Sequence, residues 1–336
     1  KNPSFSDPHG CFRIYLKHNT IKLDGPNRIG LVADKQLGDL QTQPQNRLEQ
    51  LFKNAESRLE LRKIIFDAIG YYFVLDPTKL GQVRIRLSKR EPSANLEEEG
   101  IHKEAIDFHS EALLISEASD GIKAFCGILI ELYAGDPKIL LIDEPEAFLH
   151  PTLATGLAKA IANKAGQTNK QLFIATHSSN FLWGCIQSGV PLNIIRQTYN
   201  NGVATARLLN SAELAPLMRD PMLRSVGVLG GLFYDGVVVT EGDTDRAFYA
   251  EINERLIDLN NSRGVKNTLF LNAQNKQTIR RIVSLLRNLG IPAAGIVDID
   301  IVKDGGKVWT DFLRAIGVPD LLVEPFSQLR KSIKSA

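Results

Sequence analysis

The order of apolar and polar positions divides this chain into recognisable elements. Residues Ile139, Leu140, Leu141 and Ile142 form an unbroken apolar run that stops at Asp143, Glu144 and Pro145. Such a run predicts a strand buried on both faces, as in a parallel sheet flanked by helices. Residues 171–176 predict a second strand of this kind, ending at His177, Ser178 and Ser179, with a helix over about 151–164 between the two. Upstream, residues 11–17 and 82–87 alternate apolar and polar, the pattern of half-buried strands. Gly25-Pro26-Asn27 is a turn signal. Leu48, Leu51, Phe52, Leu59, Leu61, Ile64, Ile65 and Ile69 recur at helical spacing, so 46–70 is expected to be helical. Residues 89–100, rich in Pro, Ser and Glu, predict a solvated loop, and an apolar helix is expected from Ser119-Asp120-Gly121 to about Tyr133.

The second half repeats the alternation. Residues 192–196 and 203–209 predict a hairpin closed at 199–202, where Asn201-Gly202 is a strong turn signal. Residues 209–231 contain Pro216, Pro221 and a glycine-rich end, and predict a helical connector. A domain boundary is expected there: a first domain over 1–210, a connector over 211–234 and a second domain over 235–336. Beyond it a sheet restarts, with strands expected at 237–240, 268–271 and 294–297 and an amphipathic helix over about 276–289. The fold class is therefore α/β, in two domains, which a length of 336 residues accommodates.

In open parallel sheets, ligands gather at the carboxyl ends of the strands. Asp143 and Glu144 fall at such an end. One carboxylate there can hold Mg2+, and its neighbour can orient a water for attack on a γ-phosphate, because phosphoryl transfer needs mainly positioning and charge neutralisation. Asp-Glu-Pro can also simply open a helix, Asp being a good N-cap and Pro a good first-turn residue. His177, at the end of the next strand, favours the first alternative. In the second domain Glu241 ends the first strand, Gly242 permits a tight turn and Asp243 can cap the following helix. Asp245 lies in the first turn of that helix. The third strand delivers Asp298-Ile299-Asp300, and alternation on a strand puts Asp298 and Asp300 on the same side. Glu241, Asp245, Asp298 and Asp300 could then surround one or two hard cations; each could equally be a solvated carboxylate at a helix cap. Such a cluster of like charges is costly without a metal.

The chain is 43% hydrophobic and 23% charged, ordinary for a globular protein, and its net charge of +2 neither advertises nor excludes a nucleic-acid groove. Cys11, Cys126 and Cys185 are scattered without metal-ligand spacing, which suits reduced thiols in a cytoplasmic protein. No apolar run is long enough to span a membrane and no signal peptide is visible, so no membrane partner is expected.

The segments LLIDEPEAFLHP and FIATHSSNFL resemble the Walker B, D-loop and switch-histidine region of ABC-type ATPases. They are most similar to the branch found in OLD-family (overcoming lysogenization defect) nucleases. Ser119-Asp120-Gly121 resembles part of the ABC signature, which reaches across a dimer to the partner's ATP; one glycine stands where the transporter-type motif has two. Residues 236–302, with Glu241 and Asp298-Ile299-Asp300, resemble a Toprim domain. The pairing covers about residues 110–310.

The resemblance implies an ATPase and a Toprim endonuclease using ATP and Mg2+, with Mn2+ possible at the Toprim site. Asp143 would hold Mg2+, Glu144 would position water and His177 would contact the γ-phosphate. Ser119, Asp120 and Gly121 would complete a partner's nucleotide site. Glu241, Asp245, Asp298 and Asp300 would bind metal. Implied partners are DNA, further copies of the chain in a homodimer or larger homo-oligomer, and a defence-system nucleic acid or protein; the implied role is anti-phage defence.

No phosphate-binding loop of the form G-x-x-x-x-G-K-[ST] occurs in the chain. The family places it near the N-terminus, so it is expected upstream of Lys1. The lysine that Toprim nucleases set near the scissile phosphate is not assigned; Lys331 and Lys334 lie near the end. The alternatives are a DNA-repair or chromosome-maintenance ATPase whose Toprim domain only binds, and a topoisomerase- or primase-like enzyme.

Overall fold

The computed structural model describes residues 10, 15–16, 19–135, 137–200, 202–210, 212, 227–303 and 305–335. The chain separates into two compact units, Lys1–Val190 and Pro191–Ala336. The division precedes the hairpin, whereas the sequence placed a boundary after it. Most of the expected connector at 211–234, most of the strand expected over 11–17, and Cys11 lie outside the described residues.

In the first unit, β1 (Thr20–Leu23), β6 (Ile139–Asp143) and β7 (Gln171–Ala175) form a parallel sheet with β6 in the middle. The registers pair Leu23 with Ile142 and Asp143 with Ala175, so the segments after β6 and β7 leave the sheet side by side. Leu140 and Ile142 are buried, but Leu141 is 37% exposed and Phe173, on β7, is 58% exposed. The sheet is thus covered on one face only among the described residues, where the apolar run led us to expect burial on both.

A second, antiparallel sheet joins β2 (Lys35–Gln36), β3 (Tyr72–Asp76), β4 (Gln82–Ser88) and β5 (Leu113–Leu114) around β4. The core between these layers is organised by α6 (Asp120–Ala134), whose Phe125, Cys126, Ile128, Leu129 and Ile130 are fully buried. Burial pushes the Cys126 thiol up to about 12, the behaviour of an inert core cysteine.

Three local expectations are corrected. Gly25-Pro26-Asn27 begins a short helix, α1 (Gly25–Gly30): Asp24 accepts from the Asn27 N–H and Pro26 occupies the first turn. The helix expected over 46–70 is two, α2 (Arg47–Lys53) and α3 (Ala55–Ile69), because the Asn54 side chain accepts from Ser57 N and caps a fresh start. The expected loop at 89–100 contains α4 (Asn95–Glu99), which buries Glu98 against Arg62 at 2.5 Å and Arg58 at 3.3 Å. Glu98 also accepts from Leu75 N at 3.0 Å. Removing one partner of such a buried set costs about 3–5 kcal/mol.

The second unit holds the expected hairpin, β8 (Ile194–Asn200) with β9 (Val203–Leu209), and a parallel sheet. In that sheet β10 (Gly236–Thr240) lies between β11 (Thr268–Asn272) and β12 (Ala293–Ile296). Arg196 of β8 donates to the carbonyls of Leu232 at 3.0 Å and Tyr234 at 2.8 Å. That pair of bonds ties the hairpin to the segment entering β10. The amphipathic α10 (Lys276–Asn288) buries Ile279, Ile282, Val283 and Leu286 beside Val237 and Val239 of β10.

Candidate functional site

Between β6 and the helix α7 (Pro151–Gln167) the chain makes a tight excursion. Pro145 does not open a helix. That role falls to Pro151, with His150 as the cap, its Nδ1 accepting from Thr152 N at 3.4 Å. The excursion is bent by two left-handed residues, Glu144 at φ 49° and Phe148 at φ 69°. Left-handed backbone is uncommon for residues with a side chain and persists where the surroundings hold it. Glu144 N–H donates to Ala175 O at 2.9 Å, and Ala147 N–H donates to Glu144 O at 2.9 Å. Arg28 of α1 donates through Nη1 to the carbonyls of Asp143 at 2.8 Å and Glu144 at 2.5 Å.

The side chains converge above this backbone. Glu144 Oε2 lies 2.5 Å from Nδ1 of the exposed His177. Glu146 is 8% exposed, and its Oε1 accepts from the Thr176 hydroxyl while Oε2 is buried with no hydrogen-bond partner among the described residues. Glu144, Glu146 and His177 each offer a ligand atom within 4.8 Å of the others, and among the described residues no other group of three acidic, histidine or cysteine side chains does so. Burial holds Glu146 above the usual carboxylate range, opposed by the Thr176 hydrogen bond and reinforced by the charge of Glu144. The hydrogen bond and charge of Glu144 push His177 upward. Sequence reasoning missed Arg28 and Glu146; the register of Asp143 with Ala175, which sets residues 144–146 beside 176–177, is the signal that could have found Glu146.

Ser119 is the N-cap of α6, its Oγ accepting from Ile122 N at 3.4 Å, and Asp120 pairs with Lys123 at 3.2 Å. A Cβ on Gly121 would meet Phe148 O at 2.5 Å. The glycine therefore lets the start of α6 approach the excursion after β6 within the same chain.

In the second unit Glu241 follows β10. The helix α9 (Asp243–Asp258) is capped by Asp245, which accepts from Gly242 N at 3.1 Å, and not by Asp243, which pairs with Arg246 at 2.7 Å. β12 ends at Ile296, and Asp300 lies in a 3-10 turn, Ile299–Lys303. The strand alternation expected for Asp298 and Asp300 is therefore absent. Asp298 is exposed, and Asp300 pairs with Lys276 at 3.1 Å. No three of Glu241, Asp245, Asp298 and Asp300 bring oxygens within 4.8 Å of one another. Two of them nevertheless suit a cation: Glu241 Oε2 and Asp300 Oδ1 are buried and have no hydrogen-bond partner among the described residues.

Two family models divide the chain in the same way. Residues 56–182 match the family described as "AAA domain, putative AbiEii toxin, Type IV TA system". Residues 232–300 match the Overcoming lysogenization defect protein-like TOPRIM domain. The chain therefore carries an ATPase-type domain followed by an OLD-like Toprim domain, and it is similar to nucleases of the OLD family. It is 27% identical over 193 residues to the endonuclease GajA of Bacillus cereus (strain HuB5-5), covering 50% of this chain and 27% of GajA. It is 24% identical over 176 residues to the Old nuclease of Escherichia phage P2, covering 49% of this chain and 28% of that protein. Protein ea59 of Escherichia phage lambda is 26% identical over 118 residues, 33% of this chain and 22% of its own length. The chain thus spans about a quarter of the length of these curated relatives. Among the described residues no helix is long and apolar enough to cross a membrane.

Proposed function

We propose that this OLD-family ATPase–Toprim chain acts in an ATP-dependent or ATP-regulated, metal-dependent DNA endonuclease of anti-phage defence in the prokaryotic cytoplasm. The observation that carries the reading is the presence, in one chain, of two acidic strand ends on two matched domains. One has a carboxylate already against a histidine, and the other has carboxylate oxygens buried without hydrogen-bond partners among the described residues. In the first domain Glu144 orients the water that attacks the γ-phosphate, and His177 senses that phosphate. Ser119 and Gly121, at the start of α6, face the nucleotide of a second copy in a homodimer or larger homo-oligomer. In the Toprim domain Glu241 and Asp298 are the indispensable carboxylates, with Asp245 and Asp300 beside them.

Divalent metal supplies Lewis acidity at both sites when bound: Asp143 would hold Mg2+, and Glu241, Asp245, Asp298 and Asp300 would hold Mg2+ or Mn2+. The chain's own carboxylates fix where that charge sits and thereby where a phosphodiester is polarised.

Supercoiled plasmid incubated with the purified protein, with and without Mn2+ and ATP, tests the reading. Nicked or linear product that requires the metal and changes in rate with ATP is the expected result. The dispersed Toprim carboxylates favour one second reading, a repair or chromosome-maintenance ATPase whose Toprim domain binds DNA or a partner without cutting. A gel-shifted but uncut plasmid at every metal concentration would establish that second reading.

A further inference from the structure

Glu144 poses a mechanical problem that its own residue type does not solve. A water-orienting carboxylate has to be aimed to within a fraction of an ångström, yet its backbone sits at φ 49°, a conformation that a side-chain-bearing residue leaves readily unless it is held. The N–H of Glu144 is held by Ala175 O of the neighbouring strand. Its carbonyl, and that of Asp143 before it, are held by one nitrogen of one side chain, Arg28, from an element more than a hundred residues earlier.

Arg28 is 1% exposed. Burying a guanidinium is expensive unless it is compensated, and a surface arginine on α1 would serve the helix equally well. The compensation comes from the site: the carboxylates of Glu146, Asp143, Asp24 and Glu144 all surround it and oppose the depression of its pKa by burial. Its placement is built in from a second side. A Cβ on Gly127 of α6 would meet Arg28 O at 2.3 Å, so only a glycine there lets α1 sit close enough for the guanidinium to reach the end of β6.

We propose that Arg28 is a positioning residue of the ATPase site: it clamps the carbonyls of Asp143 and Glu144, holds Glu144 in its left-handed conformation, and so aims the Glu144 carboxylate at the attacking water. Arg28 acts through Glu144 and the backbone and does not touch the nucleotide. The proposal rests on the ATPase reading given above.

The test is steady-state ATP hydrolysis by the intact protein carrying Arg28→Met and Arg28→Lys, alone and combined with Glu144→Gln, with circular dichroism and thermal melting as the check on folding. Arg28→Met is expected to lower kcat on the order of 10²-fold, the usual size for a displaced catalytic group, while the KM for ATP stays within about threefold. Arg28→Lys, which retains one donor head, is expected to fall between Met and the wild type. In the Glu144→Gln background, Arg28→Met is expected to change the residual rate little, because the carboxylate it aims is gone. A folded Arg28→Met variant with wild-type kcat overturns the proposal. So does an equal fractional loss in both backgrounds, which would mark a merely structural role. If Arg28→Met does not fold, Arg28→Lys decides: a lowered kcat at unchanged KM supports the clamp, and a wild-type kcat overturns it. A Glu144→Gln protein that hydrolyses ATP at the wild-type rate would instead overturn the ATPase reading itself, and the two failures are thereby distinguished.

Discussion

The strand end at β6 and the strand ends at β10 and β12 carry the same residue types in opposite states. After β6, Glu144 lies 2.5 Å from His177, and Glu146 is buried beside them. After β10 and β12, Asp245 is spent on a helix cap, Asp300 on Lys276, and Asp298 faces solvent. The difference is one of internal charge balance. The first group carries its own partners: the Arg28 guanidinium holds the carbonyls of Asp143 and Glu144, and the His177 ring meets the Glu144 carboxylate. In the second group Asp300 and Asp245 rest on separate local partners, and on the proposed reading an added cation would gather them. If the proposed roles hold, the first site would need little rearrangement to act, and assembly of the second would be conditional on metal.

The sharpest way to break this comparison is to remove the preassembled acid. Glu144→Gln in the intact protein should retain ATP binding and lose most turnover, on the order of 10²-fold or more, since the shape survives and the water-orienting charge does not. Nucleotide binding by fluorescence and phosphate release measured on one sample would check it; wild-type release would remove Glu144 from the site. Of comparable size on the other side, Glu241→Ala and Asp298→Ala should each abolish DNA cleavage and leave ATP hydrolysis largely intact, because the carboxylates belong to separate units. Plasmid cleavage that persists in either variant would mean the scattered carboxylates never gather.

A smaller effect tests why they are scattered. Lys276 stands in the first turn of α10, where a cation opposes the helix dipole, and pairs with Asp300 at 3.1 Å. In the absence of DNA, Lys276→Met should bind Mn2+ tighter by about tenfold, the effect of removing one like charge near the site at an intermediate dielectric. Calorimetric titration reads this directly, and unchanged or weaker Mn2+ binding would exclude Lys276 as the competitor.

The two sites also differed in how far the sequence revealed them. The strands were legible because an apolar run ending in carboxylates leaves few alternatives, and β6, β7, β10 and β11 fall within a residue or so of their expected places. The single-sided burial of the first sheet was not legible, since an apolar residue on an uncovered face reads like one in a core. Arg28 was hidden because Gly25-Pro26-Asn27, just before it, reads as a turn and its partners are main-chain carbonyls, which no residue type announces. Asp298-Ile299-Asp300 was misread because a three-residue polar-apolar-polar pattern fits a strand and a 3-10 turn equally well.

The smallest expected effect concerns the contact that makes the first site look finished. His177 is pushed above the ordinary imidazole range, first by its hydrogen bond to Glu144 and then by that carboxylate's charge. A raised value means that the ion pair contributes to the fold fully below the ordinary imidazole pKa. The contribution fades as pH climbs through the raised one. His177 is 80% exposed, so solvent screens the pair and its share of global stability is small. The clearer readout is therefore the titration of the imidazole itself. Histidine-selective NMR should show the His177 midpoint falling toward the ordinary value of about 6.5 in Glu144→Gln. Glu146→Gln should move it less, since Glu146 is the weakest of the groups acting on that ring. If the midpoint is the same with and without the Glu144 charge, the two side chains are neighbours without being coupled. The first site would then need a ligand to organise it just as the second does.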